Sequence, residues 1–393
     1  MGFVRDAIVK KGKGILLGEM AFAKGGGNIN WFPGHMAAAT KAIRSRLKVS
    51  DLVIEVRDAR IPITSANQEL QPMLAGKRRI IALNKKDLSN PNLMPKWIQY
   101  FESCKQDCLP LNAHSQSSVQ KLLDLVEFKL KEKISREPTL LVMVVGVPNV
   151  GKSALINSVH RIASFRFPVQ GKLKRATVGP LPGVTQDIAG YKIAQRPSIY
   201  VLDSPGVLVP SIADVETGLK LALAGSVKDS VVGEERIAEY LLAVLNTRGT
   251  PFHWKNLFSS ESEDLQLDES SKPTYDLKNL LLKRSSKQKK KSDMVYIEDY
   301  ATRVKCALYT TLSEFDGCLE SENDLEILIE KQFEILQTAL KVPETASDAR
   351  IMVSKKFLAL FRTGKLGPVI LDDVPDISTS SDQKARMSLP DTS

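Results

Sequence analysis

One short segment, Gly146–Ser153, has the residue types and the spacing of a phosphate-binding loop. It reads Gly-Val-Pro-Asn-Val-Gly-Lys-Ser and lies between the apolar run Leu140–Val145 and the helical pattern Ala154–His160. Its glycines let backbone N–H groups surround a phosphate, and the following helix adds the partial positive charge of its first turn. The residues expected around the phosphates, with Lys152 reaching the terminal ones, are Asn149, Val150, Gly151, Lys152, Ser153 and Ala154. The sequence therefore predicts a nucleotide-binding protein.

Side chains that could hold a magnesium ion lie in this loop and further along the chain. The predicted ligands are the hydroxyl of Ser153 and the carboxylate of Asp203, which follows the strand pattern Ser198–Leu202. Thr185 is the candidate switch residue that closes over the ion and the reacting phosphate, and the N–H of Gly206 is placed to contact that phosphate. Outside this context, Asp203 would be an ordinary turn residue and Thr185 an ordinary loop threonine.

Asn84, Lys85 and Asp87 form an Asn-Lys-x-Asp box after a short apolar strand pattern. The carboxylate of Asp87 can accept hydrogen bonds from N1–H and the 2-amino group of guanine, whereas adenine offers no matching donors. We expect Asn84 to support the loop and the stem of Lys85 to cover the face of the base. Ala113 is the candidate for a backbone contact to guanine O6, although an asparagine precedes it where a serine is usual. An ATPase with a generic phosphate loop is the alternative, and Asp87 argues against it.

The order of these motifs differs from that of ordinary GTPases, in which the guanine box follows the phosphate loop. Here Asn84–Asp87 precedes Gly146–Ser153, which precedes Thr185 and Asp203. Because geometry rather than chain order makes a site, a circularly permuted domain can assemble the same site.

Val207 and Leu208 stand where a Ras-like GTPase carries the glutamine that orients the attacking water. Neither side chain can position water. We therefore predict slow intrinsic hydrolysis, with the missing group supplied from elsewhere.

The elements that must position the motifs alternate between strand and helix patterns. The strand patterns are Leu52–Val56, Arg79–Leu83, Cys108–Leu111, Leu140–Val145 and Ser198–Leu202. The helical patterns between them are Ala37–Val49, Pro95–Ser103, Ser117–Lys131 and Ala154–His160. This alternation predicts a mostly parallel, doubly wound α/β sheet. Together with the order of the motifs, it predicts a circularly permuted Ras-like GTPase domain. An all-α domain is then predicted from the helical patterns Val215–Leu223, Glu234–Leu245, Asp299–Ser313, Asp324–Leu340 and Arg350–Phe361.

Composition limits the classes of protein that need to be considered. The chain has 393 residues, enough for two domains, and its net charge of +10 favours a polyanionic partner. It contains no apolar run of roughly 18 residues, so no membrane span is expected. Cys104, Cys108 and His114 fall short of a four-ligand zinc site, and reduced thiols are expected. The basic segment before Asn30 lacks a secretory apolar core, which leaves open an organelle-targeting segment or an rRNA-contacting arm.

The permuted motif order, the triplet Asp58-Ala59-Arg60, and the segments Trp31–Met36 and Arg362–Gly367 resemble the circularly permuted ribosome-assembly GTPases. That family includes bacterial ribosome biogenesis GTPase A, the mitochondrial ribosome-associated GTPases and the plant mitochondrial DAR GTPases, which this chain resembles most. The resemblance implies GTP hydrolysis late in assembly of the large mitochondrial ribosomal subunit, with binding to its rRNA. It implies a mitochondrial location, with the chloroplast or nucleolus as alternatives.

The resemblance also implies roles for two residues. His35 would replace the absent glutamine in hydrolysis, although alone it reads as a loop histidine. Asn149 would coordinate a K⁺ ion that bridges the phosphates, although an asparagine there could equally be a turn former. The implied cofactors are GTP or GDP, Mg²⁺ and K⁺. The implied protein is a monomer that touches the inner mitochondrial membrane at most peripherally.

The expected domain organisation follows from these patterns. A basic arm (1–29) precedes the GTPase domain (30–210), which is followed by a helical, rRNA-binding domain (211–375) and a disordered tail (376–393). An acidic and then basic stretch (259–295) is expected to form a mobile insert, whose lysines are either solvated or bound to rRNA phosphates. The rival function is a GTP-dependent module that recruits a protein partner, with incidental hydrolysis.

Overall fold

The computed structural model of the chain describes residues 17, 20, 29, 34–134, 137–166, 189–195, 198–208, 212, 214–255, 286–343 and 347–375. The chain forms two compact units. The first, called here the sheet unit, comprises Gly27–Val232 and Gly367–Ser393. The second, called here the helical unit, comprises Met1–Gly26 and Gly233–Leu366.

Within the described residues, the sheet unit contains one sheet of six strands in the order β3-β2-β1-β4-β6-β5. The strands are β1 (Leu52–Asp58), β2 (Arg79–Asn84), β3 (Asp107–Pro110), β4 (Thr139–Val145), β5 (Ala189–Gln195) and β6 (Ser198–Asp203). All neighbouring pairs are parallel except β5 with β6. The predicted fold class is confirmed. The edge strand β5 was not predicted, because its sequence, Ala-Gly-Tyr-Lys-Ile-Ala-Gln, has neither a continuous apolar run nor a regular alternation.

Five of the seven described α-helices of the sheet unit lie close to predicted positions, and the two helices of four residues were not predicted. The seven helices are α1 (Gly34–Val49), α2 (Gln71–Leu74), α3 (Met94–Ser103), α4 (Gln116–Ile134), α5 (Lys152–Arg166), α6 (Val215–Leu223) and α7 (Asp229–Val232). The Asp214 carboxylate caps α6 by accepting from the N–H groups of Glu216 and Thr217. This cap is the reason that α6 begins at the predicted residue.

The two faces of the sheet are both covered by helices, as a doubly wound fold requires. On one face, Val53 of β1 and Met143 of β4 pack against Ile43 and Leu47 of α1. The adjacent strand residues point to the opposite face. There Ile54 and Val144 meet apolar side chains of α4 and α5, namely Leu122, Val126, Leu155, Ile156 and Val159. The central strands β1 and β4 are therefore buried on both faces.

The described part of the helical unit consists of helices and the loops between them. The helices are α8 (Glu234–Thr247), α9 (Ser286–Ser313), α10 (Glu322–Ala339) and α11 (Ala349–Arg362), with a 3₁₀ helix at Thr250–Trp254. Asn246 and Gln332 exchange two amide hydrogen bonds, at 2.8 and 2.9 Å, in its core. No helix in the described ranges is both long and apolar enough to cross a membrane.

The start of α9 corrects one prediction. We expected a helix from Asp299, whereas the helix already begins at Ser286, within the stretch 259–295 that we expected to form a mobile insert. The lysines and glutamine between these positions are good helix formers, and neither proline nor glycine interrupts them, so the helix extends through the basic run. The remainder of the predicted insert, the arm before Ile29 apart from Leu17 and Met20, and the tail after Pro375 lie outside the described residues.

Candidate functional site

The predicted motifs follow the carboxyl ends of neighbouring strands. Asp58 of β1 and Asn84 of β2 are paired in the parallel register, β4 leads into Gly146, and β6 ends at Asp203. In an open α/β sheet, this edge is where ligands bind, because loops and helix N-termini meet there. The permuted chain order does not prevent the motifs from meeting at one edge of the sheet.

The phosphate loop has the close backbone contacts that require glycine. Gly146 has φ +150°, and a β-carbon there would lie 2.3 Å from the carbonyl oxygen of Val56. Gly151 has φ +96°, and a β-carbon there would lie 2.2 Å from the amide nitrogen of Asn84. Between them, Asn149 adopts a left-handed backbone with φ 59°. Alternating conformations of this kind form a concave loop that can bind an anion.

Lys152 begins α5 and is buried, with 6% of its surface exposed. Its Nζ donates a hydrogen bond to the carbonyl oxygen of Val147 at 2.8 Å, across the mouth of the loop. Burial lowers the pKa of the ammonium group to about 8, and the carboxylate of Asp203 opposes that change. A bound phosphate would add negative charge beside this buried cation and favour its charged form.

Ser153 and Asp203 form the candidate metal site. The Ser153 hydroxyl lies 3.3 Å from Oδ2 of Asp203. The carboxylate is 1% exposed, and its Oδ1 is buried without a hydrogen-bond partner. Burial raises the pKa of Asp203, against the influence of Lys152 and Ser153. One carboxylate and one hydroxyl beside a phosphate loop fit Mg²⁺, which takes few protein ligands and fills its shell with phosphate oxygens and water.

The loop after β6 packs tightly against the phosphate loop. A β-carbon on Gly206 would lie 2.5 Å from Cα of Pro148, so the two backbones are in direct contact. The hydroxyl of Ser204 donates to the carbonyl of Val144 at 2.6 Å and fixes this loop to β4. Val207 and Leu208 are both buried, with 0% and 2% of their surfaces exposed, so neither can orient a water molecule.

Asn84 joins the base-binding motif to the phosphate loop. The side chain is 3% exposed, and its amide nitrogen donates to the carbonyl of Val150 at 2.8 Å. Its amide oxygen accepts from the N–H of Ala113 at 2.9 Å. Asp87 lies in a short 3₁₀ helix, Lys86–Leu88, and is exposed, so its carboxylate is accessible to a ligand.

Asp58 also lies at this edge, and its role was not predicted from the sequence. The triplet Asp58-Ala59-Arg60 served only as a family marker, yet its carboxylate contacts both Arg60 and Lys85 of the guanine box. The signal that could have identified it is its position directly after a strand that neighbours the box.

The turn after α6 also contacts the phosphate loop and was not predicted. The amide nitrogen of Asn149 donates to the carbonyl of Gly225 at 2.8 Å, and the hydroxyl of Ser226 donates to the carbonyl of Pro148 at 2.8 Å. These bonds connect the turn to the residue predicted to bind K⁺.

The last described segment of the chain returns to the same edge of the sheet. The N–H of Val369 donates to the carbonyl of Leu88 at 3.2 Å, and the N–H of Leu371 donates to the carbonyl of Arg60 at 2.7 Å. The segment therefore supports the two loops that follow β1 and β2.

Two predicted site residues have side chains outside the described part. The backbone of His35 belongs to the first turn of α1, but its side chain is not described. Thr185 lies in the undescribed range 167–188. Their roles are not tested by this geometry.

Comparisons with known proteins identify relatives of this chain. A family model described as "50S ribosome-binding GTPase" matches residues 141–290. The chain is 70% identical over 379 residues to Short integuments 2, mitochondrial, of Arabidopsis thaliana, covering 96% of this chain and 97% of that protein. It is 42% identical over 230 residues to mitochondrial ribosome-associated GTPase 1 of Mus musculus, covering 56% and 67%. It is 34% identical over 221 residues to ribosome biogenesis GTPase A of Bacillus cereus, covering 54% and 70%.

Proposed function

The chain belongs to the family of mitochondrial ribosome-associated and bacterial ribosome-biogenesis GTPases, and from that membership we propose that it assists late assembly of the large mitochondrial ribosomal subunit. It is a mitochondrial GTPase. In our proposal it binds the immature subunit through rRNA while GTP is bound, and it leaves after hydrolysis. We further propose that it acts as a monomer and contacts the inner membrane only peripherally.

The proposed reaction is attack of water on the γ-phosphate of GTP. Lys152 would stabilise charge on the terminal phosphates, while Ser153 and Asp203 would hold Mg²⁺, which neutralises charge on the β- and γ-phosphates. The N–H of Gly206 would report the presence of the γ-phosphate, and Thr185 would close the site. The backbone around Asn149, Val150, Gly151 and Ala154 would surround the phosphates.

The single observation that supports guanine nucleotide binding best is the double hydrogen bond of Asn84. Its amide links the carbonyl of Val150 in the phosphate loop to the N–H of Ala113 in the loop after β3. One buried side chain thus connects the two segments that we propose bind the phosphates and the base, and the carboxylate of Asp87 in the same box is exposed.

Two further proposals concern the catalytic step. Val207 and Leu208 are buried, so a group from elsewhere must orient the water, and we assign this role to His35. We also propose that Asn149 binds K⁺. Its left-handed backbone and the bond from its amide nitrogen to Gly225 hold its side chain in one orientation.

The experiment is to measure GTP turnover of the purified chain in KCl, with and without large ribosomal subunits. We expect subunits to stimulate turnover, and His35→Ala to lose this stimulation while still binding subunits. Replacing KCl by NaCl at equal ionic strength should lower turnover if Asn149 binds K⁺. Lys152→Ala should abolish GTP binding; unchanged GTP affinity in that variant would overturn the phosphate-loop assignment.

A second candidate function is a GTP-dependent module that recruits a protein partner, with incidental hydrolysis. The burial of Val207 and Leu208 favours it, because the isolated site then has no group to activate water. Salt dependence separates the two functions. Binding to rRNA should weaken steeply as salt rises, because counterions are released, whereas docking to a protein should change less.

A further inference from the structure

Asp58 is the centre of a buried charge cluster at the end of β1. The carboxylate is 0% exposed. Nε and Nη2 of Arg60 donate to its two oxygens at 2.9 and 2.8 Å, and the N–H of Arg60 donates to Oδ1 at 3.0 Å. Nζ of Lys85 lies 2.9 Å from Oδ2. One carboxylate therefore holds two cations, one of which belongs to the guanine box.

The paired guanidinium and ammonium groups keep this buried carboxylate charged. Burial alone would raise the pKa of Asp58, but the guanidinium of Arg60 and the ammonium of Lys85 outweigh burial and hold the pKa well below its usual range. The bidentate bond to Arg60 already pairs both oxygens. Because both carboxylate oxygens already have a partner, the added contact to Lys85 needs another explanation.

The position of Lys85 supplies that explanation. Lys85 has a left-handed backbone, with φ 63°, and follows Asn84, whose side chain is already fixed. A lysine stem is long and has four flexible carbons, so an unanchored stem would sample many conformations. Anchoring Nζ on Asp58 holds both ends of the stem, and the stem becomes a fixed apolar surface beside the guanine box.

We propose that Asp58 is a positioning residue of the guanine site, which holds Lys85 so that the stem of this lysine covers the face of the bound base. The proposal rests on the proposed function, because it needs Asn84, Lys85 and Asp87 to bind guanine. Arg60 is the fixed counter-charge that keeps the carboxylate in place.

This role predicts a loss of affinity that does not depend on the 2-amino group of the base. The stem of Lys85 contacts the ring face, which guanine and hypoxanthine have in common, whereas Asp87 reads the 2-amino group that only guanine carries. Asp58→Asn should therefore weaken binding of GDP and of inosine diphosphate by the same factor, about tenfold. The ratio of the two affinities should stay at the wild-type value.

A double-mutant cycle with Lys85→Ala tests whether the two residues act through one contact. We expect Lys85→Ala to cause a loss similar to that of Asp58→Asn, and the double variant to lose no more than either single one. The matched control is Glu55→Gln. Glu55 is also a buried acid on β1 with two ion pairs, to Arg57 at 2.9 Å and Arg79 at 3.1 Å, but none to the guanine box. This control should lose stability and keep its GDP affinity.

Asp58→Asn leaves Arg60 buried without its carboxylate, and this variant could fail to fold. In that case Asp58→Asn combined with Arg60→Met removes both buried charges and is measured instead. Additive losses in the cycle, a changed ratio of affinities, or unchanged GDP binding in Lys85→Ala would each overturn the proposal.

The guanine box itself is tested separately by Asp87→Asn. If this substitution leaves the preference for GDP over xanthosine diphosphate unchanged, the proposed function fails, whatever Asp58 does.

Discussion

The carboxamide of Asn84 donates a hydrogen bond to the carbonyl oxygen of Val150 at 2.8 Å, which ties the guanine box directly to the phosphate loop. The same carboxamide accepts from the N–H of Ala113. A β-carbon on Gly151 would collide with its nitrogen, so the loop and the side chain fit only when that position is glycine. One buried residue therefore connects the loops that we propose bind the base and the phosphates.

Replacing Asn84 by alanine should weaken both folding and nucleotide binding. Two buried backbone groups lose their partner, which we expect to lower the free energy of unfolding by about 2 kcal/mol. The phosphate loop also loses its link to the guanine box, so GDP affinity should fall roughly tenfold. Chemical denaturation and titration with a fluorescent GDP analogue measure the two effects.

Asn246→Ala is the matched control for this prediction. Asn246 is a buried asparagine of the helical unit that bonds to Gln332 at 2.8 Å. Its replacement should cost similar stability and leave GDP affinity unchanged. Equal GDP affinity in wild type and Asn84→Ala would show that Asn84 does not set the geometry of the site.

A methyl group on Gly206 should disturb the part of the site that meets the γ-phosphate. Its β-carbon would lie 2.5 Å from Cα of Pro148, and backbone atoms must move to relieve that contact. We expect Gly206→Ala to lower affinity for a non-hydrolysable GTP analogue by more than about tenfold, and GDP affinity by less.

Gly76→Ala is the corresponding control, because a β-carbon there would have no atom within 4 Å. Calorimetric titration of both nucleotides into both variants measures the difference. If Gly206→Ala loses equal affinity for the GTP analogue and for GDP, the backbone displacement caused by the methyl group is confined to the phosphate loop.

Much of the fold could be predicted because strand and helix patterns in this chain are strong and local. The buried runs Leu140–Val145 and Arg79–Leu83 became strands β4 and β2, and the polar residues that follow them lie at one edge. Parallel strands end at the same edge of a sheet, so a motif after each strand is sufficient to predict a shared site.

The features that could not be predicted from the sequence depend on interactions that no local pattern encodes. The ion pairs of Asp58 connect two loops after different strands. The bonds that join the phosphate loop to the carbonyl of Gly225 and the hydroxyl of Ser226 span more than a helix of intervening chain. Strand β5 pairs at a sheet edge with one neighbour, so its sequence needs no buried apolar run. Such features follow from tertiary packing, which periodicity does not report.

Asp372 should contribute strongly to the stability of the sheet unit. Its Oδ2 accepts from the N–H groups of Ile63 and Thr64 at 2.8 and 2.9 Å, and its Oδ1 accepts from the Thr64 hydroxyl at 2.6 Å. We expect Asp372→Ala to lower the free energy of unfolding by about 3 kcal/mol, because it removes charge-assisted bonds at a buried position. Urea denaturation followed by circular dichroism measures this change.

The neighbouring Asp373 provides the control, because its side chain is exposed. Asp373→Ala should change the free energy of unfolding by less than about 0.5 kcal/mol. Similar free energies of unfolding for the two alanine variants would mean that the hydrogen bonds from residues 63 and 64 to Asp372 add little to stability.

The lowered pKa of Lys152 predicts opposite effects of pH on folding and on nucleotide binding. In the folded, nucleotide-free protein this pKa is about 8, against 10.5 for an ordinary lysine. Between these values the unfolded chain binds more protons than the folded one, so the stability of the nucleotide-free protein should rise with pH across this window. Bound phosphate favours the charged lysine, so GDP binding should take up a proton above about pH 8, and affinity should fall there.

Both pH effects can be measured by comparison with Lys152→Met, whose side chain does not titrate. Denaturation of the nucleotide-free proteins at several pH values should give a stability difference, wild type minus variant, that grows from about pH 8 upward. For wild type, calorimetry in buffers of different ionisation enthalpy should detect proton uptake on GDP binding. If GDP binding takes up no proton, or if the stability difference does not vary with pH, Lys152 is already charged in the free protein. The phosphate loop then holds it as a cation before any nucleotide arrives.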